Sequence, residues 1–198
     1  MDLPNRFVLP PAALLPHEAL TSAPSAPLDV ETDEKEKPKH PHEMTPKEIR
    51  ARIIELGFEG DAARFEEFCE RLRNGLPPGT CVAVRGSAVT GVRWEDGAPF
   101  DAKGKGTSDL DITLIGDQVM GCWNPDGFYI PALHTKPAGD EYPDMAPALE
   151  PLRRELQALA GRPVNFQATN NLVLYVRDIL MGQPYFMLIE PEPALSTE

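Results

Sequence analysis

Apolar residues recur along this chain at two spacings, and each spacing predicts a different kind of element. Thr45-Pro46-Lys47-Glu48 is a capping box with proline at the first helical position. Ile49, Ile53 and Leu56 follow as one apolar stripe at helical spacing, and Gly57 is expected to stop the helix. Asp61 caps a second helix whose buried stripe is Phe65, Phe68 and Leu72; Gly75 and Pro77-Pro78 end it. The period then shortens. Residues 80–85 form a first core strand rich in β-branched side chains, and residues 87–91 start a short helix. In the second strand, residues 108–115, alternation sends Leu110, Ile112 and Leu114 to the core and Asp109 and Asp111 to the opposite face.

Residues 145–160 predict an amphipathic helix with Leu149, Leu152, Leu156 and Leu159 on one side and Arg153 and Arg154 on the other. Pro151 marks the start of its regular part, and Gly161 caps it. Residues 163–167 are a third strand. Asn170-Asn171 opens a helix bearing Leu172, Val176, Ile179 and Leu180, and residues 185–189 are a last strand. Together these predict an α/β (α+β) fold, a small mixed sheet with helices packed mainly on one face.

Three stretches lack such periodicity. Residues 1–43, broken by Pro10-Pro11, Pro16, Pro24 and Pro27, read as a disordered Pro-rich and charged tail before a domain at 44–190; residues 191–198 read as a frayed end. Within the tail, residues 6–15 are apolar enough either to dock or to form a loose leader. The spacer 92–107 holds Trp94 and the turn signals Asp96-Gly97 and Gly104-Lys105-Gly106, and reads as a mobile hairpin or loop beside the Asp-x-Asp strand. From it Lys103 and Lys105 either reach a bound phosphate or face solvent. Residues 116–146 form a long loop, of the kind that is usually functional, with a short strand expected at Phe128-Tyr129-Ile130. Its aromatics either stack on a base or pack the loop's own underside, and His134 is either an acid–base group or a plain loop histidine. His17, His40 and His42 lie in the tail, where His40-x-His42 either binds metal or is simply solvated.

Composition narrows the choices. The 198 residues suffice for one domain with a core, and 22 prolines are many for that length. A net charge of −12 argues against broad nucleic-acid binding, since an acidic chain repels phosphate backbones. Cys69, Cys81 and Cys122 show no Cys-x-x-Cys spacing, and their odd number opposes a disulfide framework; reduced thiols in a cytoplasmic protein are expected. No apolar run approaches the ~18 residues of a membrane helix, and the opening Met1-Asp2-Leu3-Pro4 lacks the features of a signal peptide.

The candidate chemistry lies in Val84-Arg85-Gly86-Ser87 and Ser108-Asp109-Leu110-Asp111-Ile112. Two carboxylates at a ~4 Å separation repel by roughly 4 kcal/mol at an effective dielectric of about 20. They need a proton, a cation or open water between them. Hard oxygen donors favour Mg²⁺ or Mn²⁺, and such an ion commonly also holds substrate phosphates. The outer glycines of Gly86-Ser87-Ala88-Val89-Thr90-Gly91-Val92-Arg93 match a P-loop, but Val92 and Arg93 replace its Lys and Ser/Thr. The short helix after Gly86 offers free backbone N–H groups that suit a triphosphate.

A Gly-Ser turn after an apolar strand, then Asp109-x-Asp111 between apolar residues, resembles the signature of the DNA polymerase β-like nucleotidyltransferase superfamily. Residues 176–185 are similar to the closing helix and strand of its small, minimal members, so the resemblance spans roughly residues 79–190. It implies transfer of a nucleoside monophosphate from a nucleoside triphosphate such as ATP to an acceptor hydroxyl, with release of pyrophosphate. Asp109 and Asp111 would hold Mg²⁺, and Gly86 and Ser87 the β- and γ-phosphates, with Ser108 and Lys105 as further phosphate contacts.

Active members carry a third Asp or Glu on the following strand; here that position is Asn165, a side chain that accepts no proton at useful pH. The chain is then active with two carboxylates, takes a base from the loop (Asp126, Asp140 or Asp144), or binds nucleotide without turnover as a regulatory or antitoxin-like module that engages nucleotide or a partner. Deleting residues 1–43 is expected to leave a body that melts cooperatively; loss of the cooperative transition would show that the tail's apolar part is docked.

Overall fold

Thr45 Oγ1 accepts a hydrogen bond from the Glu48 N–H while the Glu48 carboxylate accepts one from the Thr45 N–H, and from this cap the first helix, α1 (Pro46–Phe58), runs. The computed structural model describes residues 40–190. Asp61 caps α2 (Ala62–Gly75) through the Arg64 N–H. Then come β1 (Cys81–Arg85), α3 (Ser87–Thr90), β2 (Leu110–Ile115), α4 (Asp117–Met120), β3 (Phe128–Ile130), β4 (His134–Thr135), α5 (Glu150–Ala160), β5 (Val164–Thr169), α6 (Leu172–Asp178) and β6 (Tyr185–Ile189). Short 3-10 turns occupy Pro41–Glu43, Pro125–Gly127 and Pro143–Met145.

Among the described residues the strands form one sheet in the order β3-β4-β5-β2-β1-β6. β2 and β5 are parallel and the other neighbours antiparallel, so the sheet is mixed. One face carries Val82, Val84, Ile112, Leu114, Val164, Phe166 and Ala168 into a core shared with Ile53 and Phe58 of α1, Phe68 and Leu72 of α2, and Leu156 of α5. The opposite face carries Arg85, Asp111, Thr113, Asn165 and Gln167, and Tyr175 of α6 covers part of it. The small mixed sheet with helices mainly on one face is the architecture the periodicity predicted. No helix among the described residues is long and apolar enough to cross a membrane.

Several local expectations need correction. Gly57 does not stop α1, which continues to Phe58 and ends with Glu59 in the left-handed conformation. Gly57 is buried where a Cβ would stand 3.1 Å from Leu110 Cδ2, so it serves close packing of α1 on β2. Residues 40–43 are a turn with Pro41 buried rather than tail, which moves the truncation point to before His40; the reading of residues 1–39 and 191–198 lies outside the described residues. In α6 the fully buried side chain is Tyr175, with Leu172 and Val176 only half-buried; beyond its end Ile179 is half-buried and Leu180 is buried as expected. The spacer 92–107 is a hydrogen-bonded structure, closed by a bridge between Val92 and Pro99. The block 116–146 holds the expected β3 and also α4 and β4. Cys69, Cys81 and Cys122 are free thiols, and burial pushes Cys69 up to about 11.

The largest correction concerns α5. Arg153, expected on the solvent side, is 1% exposed. Its guanidinium donates to Glu150, Asp140, Gln157 and the Val164 carbonyl, tying α5 to the start of β5 and to the preceding loop. These bonds satisfy a buried charge that would otherwise be costly. Hydrogen bonds from Arg153 hold the carboxyls of Glu150 and Asp140 below the usual range.

Replacing Arg153 with Met removes its bonds to Asp140, Gln157 and the Val164 carbonyl and leaves Glu150 paired with Arg154 alone, and is expected to cost about 1–3 kcal/mol in urea unfolding. Because the folded carboxyl values are depressed, Arg153's contribution is complete above the ordinary carboxylate range. It is lost as pH falls through the folded values, so the gap between wild type and Arg153→Met should shrink below about pH 4.

Candidate active site

The turn from β1 into α3 sets the first wall of the site. Gly86 has φ 74° and ψ −154°, a region that essentially only glycine occupies. A Cβ there would lie 2.8 Å from Asp111 Oδ2. Glycine is therefore needed twice over, for the backbone angle and for the approach to the carboxylate. Ser87 follows as the first residue of α3.

The second wall is the entry into β2. The Ser108 N–H donates to Asp101 Oδ1 at 2.8 Å, and Ser108 Oγ accepts from the Asp101 N–H at 2.7 Å. Buried Arg162 grips the same segment, donating to Asp101, to the Ser108 carbonyl and to the Gly57 carbonyl, with its guanidinium over the Phe100 ring. Burial opposes ionisation of Asp101, but Arg162 and the N–H groups of Gly106 and Ser108 outweigh it and hold its carboxyl below the usual value. The position of Asp109 is thus fixed by a clasp reaching from the α5–β5 junction.

Register completes the arrangement. Arg85 stands opposite Asp111 across β1 and β2, and Asn165 stands opposite Asp111 across β2 and β5. The row Arg85–Asp111–Asn165 crosses three adjacent strands. Asn165 Nδ2 donates to Asp109 Oδ2 at 2.5 Å and to Asp111 Oδ1 at 3.5 Å. Its amide oxygen abuts Gly139, where a Cβ would lie 2.3 Å away. On the other side Arg85 Nη1 is 3.7 Å from Asp111 Oδ2, while its Nη2 donates to Gln167 Oε1 at 3.0 Å. Gln167 is held in turn by the Tyr175 hydroxyl at 2.8 Å and donates to the Thr135 carbonyl at 2.8 Å. Burial raises the Asp111 carboxyl, Arg85 works against that rise, and Asp109 adds to it. Desolvation pulls Arg85 down, but the facing Asp111, then Tyr175 and Asp109, carry it above its ordinary value.

A cleft of about 330 Å³ opens over this row. Gly86, Ser87, Ser108, Asp109 and Asp111 line it, so the structure brings five of the sequence-selected residues to one place. Lys105 is not among them: its Nζ pairs with Glu59 at 2.9 Å, and burial apart, that bond lowers the Glu59 carboxyl. Lys103 does line the cleft. Of the loop carboxylates weighed as bases, Asp140 is bound to Arg153 and Gln157, and Asp126 and Asp144 lie outside the cleft lining. His134 pairs with Thr169 at the far end of β5, four residues from Asn165, about 13 Å at the strand rise. It is fully buried, its Nδ1 is 3.0 Å from Thr169 Oγ1, and burial pushes its imidazole down. Trp123 packs the underside of its loop and donates to the Lys136 carbonyl. His40 and His42 stack on each other in the 3-10 turn; His17 lies outside the described residues.

Sequence reasoning passed over Arg85, Arg93 and Trp94 as site residues, although all three line the cleft. Arg85 carried a signal: it is the charged residue closing an otherwise apolar strand, directly before Gly-Ser. Gln167 carried one as well, as the next residue on the same strand face as Asn165, whereas Tyr175 carried none, since its connection to Arg85 exists only through the sheet.

Among the described residues no group of three His, Cys, Asp or Glu side chains is placed to hold a metal ion. The possible metal donors are the two carboxylates, since Asn165 turns its amide nitrogen to them and its oxygen to Gly139. That suits Mg²⁺, which commonly takes one or two carboxylates and completes its shell with water and phosphate. No family model, curated protein or solved structure matches the chain.

Gly86→Ala is expected to destabilise the protein by about 1–3 kcal/mol, from backbone strain and the clash with Asp111. Ala at Gly79, which also has positive φ but open space around its Cβ position, controls for strain without the clash. The two unfolding free energies, compared side by side, should show the larger loss at Gly86.

Proposed function

We propose that the cleft is the active site of a metal-dependent nucleotidyltransferase, moving a nucleoside monophosphate from a nucleoside triphosphate to an acceptor hydroxyl. The observation that carries this reading is the convergence of Asp109, Asp111, Gly86 and Ser87 on one cleft from β2 and the β1–α3 turn. These are the residues on which the sequence resemblance rests.

In this reading Asp109 and Asp111 hold Mg²⁺, which when bound neutralises phosphate charge and favours attack at the α-phosphate. Gly86 lets the backbone close on the phosphates, and Ser87 and Ser108 line their path. Arg85 orients Asp111 from behind. Asn165 holds both carboxylates in place but takes no proton, so the acceptor proton leaves through another group. A cytoplasmic location accompanies this proposal, since nucleotides and reduced thiols both belong there.

A second reading has its own support. The Asn165 amide donates to both aspartates and the Arg85 guanidinium faces Asp111, which offsets part of their repulsion without a metal ion. On that basis the site would bind nucleotide or a partner without turnover.

Incubation with labelled nucleoside triphosphates, Mg²⁺ and cell extract separates the two readings by asking whether label is transferred, and to which class of acceptor. Asp109→Ala should abolish the transfer. A saturating Mg²⁺-nucleotide, at about 100 times its dissociation constant, should add about 2.7 kcal/mol of stability, and this gain should also disappear in Asp109→Ala. Asn165→Asp puts three carboxylates together. It should lower the melting temperature in chelator, recover it in Mg²⁺, and raise transfer by about 10² to 10⁴ if the acceptor pocket is intact. An Asn165→Asp protein whose melting ignores Mg²⁺ would sink the metal assignment.

A further inference from the structure

We propose that Trp94 is the stacking platform for the nucleobase of the ligand in this cleft. The inference rests on the reading of the cleft as a nucleotide site and adds where the base lies.

The chain has two tryptophans, and they are treated in opposite ways. Trp123 is 5% exposed and gives its indole N–H to a backbone carbonyl. Trp94 leaves 56% of its surface open, an unusual state for a side chain that is mostly buried on average. Its exposure is not that of a loose loop. The hairpin carrying it is closed by the Val92–Pro99 bridge, made by the Arg93 N–H to the Ala98 carbonyl at 2.7 Å and the Phe100 N–H to the Gly91 carbonyl at 2.9 Å, and by the Gly97 N–H to the Arg93 carbonyl at 2.9 Å. An Arg93–Asp96 ion pair at 2.7 Å braces the turn. The indole is therefore presented on a hydrogen-bonded support, and it lines the same cleft as Asp109 and Asp111.

The surroundings of Trp94 select the kind of ligand. Arg93, Glu95 and Lys103 line the cleft around it. A protein partner docking on a tryptophan anchor wants an apolar surround that excludes water. A ring of charges instead suits a small ligand with one aromatic face and a charged remainder. A nucleoside triphosphate has that form: the base lies on the indole, Arg93 and Lys103 stand near its negative groups, and Asp109 and Asp111 face the metal-bearing end. Stacking tolerates any base but grows with ring area, so purine triphosphates should bind more tightly than pyrimidine ones.

The test titrates the full-length protein, in Mg²⁺, with ATP, GTP, UTP and inorganic tripolyphosphate, following tryptophan emission and calorimetric heat. The expected result is that nucleotides perturb the emission of wild type, and that Trp94→Ala raises their dissociation constants roughly 5- to 150-fold. Trp94→Phe should retain most of the affinity, and tripolyphosphate should bind wild type and Trp94→Ala alike. Unchanged nucleotide affinity in Trp94→Ala, with binding still lost in Asp109→Ala, would overturn the platform and leave the nucleotide site standing. Equal weakening of nucleotide and tripolyphosphate by Trp94→Ala would also overturn it, since the effect would not be on the base. Failure of every nucleotide to bind wild type would overturn both the platform and the nucleotide reading.

Discussion

Two carboxylates forced onto one sheet face are the constraint around which this structure is arranged. Asp109 and Asp111 cannot share a wall unless their repulsion is offset, and the fold offsets it from both flanks. Arg85 approaches Asp111 from β1, and the Asn165 amide reaches both aspartates from β5. Each neighbour has further work. Arg85 is tied through Gln167 to Tyr175 of α6, so the polar face of the sheet is one connected network. In such a network the members support one another's geometry, and an unpaired member would be expensive.

Two buried arginines supply the rigidity behind that row. Arg162 locks the segment that delivers Ser108 and Asp109 into β2. Arg153 joins α5 to the first residue of β5, just before Asn165. Both act as multi-point clamps, for which a planar guanidinium with five donors is better suited than a lysine. The apolar core on the other face holds the strands in register, while these clamps fix the loops that carry function.

The site is electrostatically mixed although the chain is acidic. Arg85, Arg93 and Lys103 line the cleft together with Asp109, Asp111 and Glu95. A net charge of −12 disfavours long polyanions, yet a local cluster of cations beside a carboxylate pair leaves room for a short one. Under the proposed function that combination would favour a small phosphorylated ligand over a nucleic-acid backbone.

The sequence by itself determined the parts that depend on local periodicity and on backbone chemistry. The α1 and α2 caps, the strands around Val82, Ile112 and Phe166, and the common face of Asp109 and Asp111 all follow from alternation, capping and turn rules, whereas Asn165 as their neighbour is implied only by the family resemblance. Those rules act over a few residues, so a single sequence displays them. Only the tertiary structure decided what depends on distant partners. Gly57 looks like a helix stop until Leu110 is seen against it. Arg153 belongs to the polar stripe of α5 until Glu150, Asp140 and the Val164 carbonyl surround it, and Tyr175 is one more helical residue until Gln167 and Thr113 meet its hydroxyl. Of Lys103 and Lys105, two positions apart, the sequence reading favours Lys105 as the phosphate contact; Glu59 holds Lys105, while Lys103 lines the cleft. Burial of a charge is a property of the groups that surround it, and those groups come from chain segments up to a hundred residues away (about the separation of Arg162 from Gly57), beyond the reach of any local pattern.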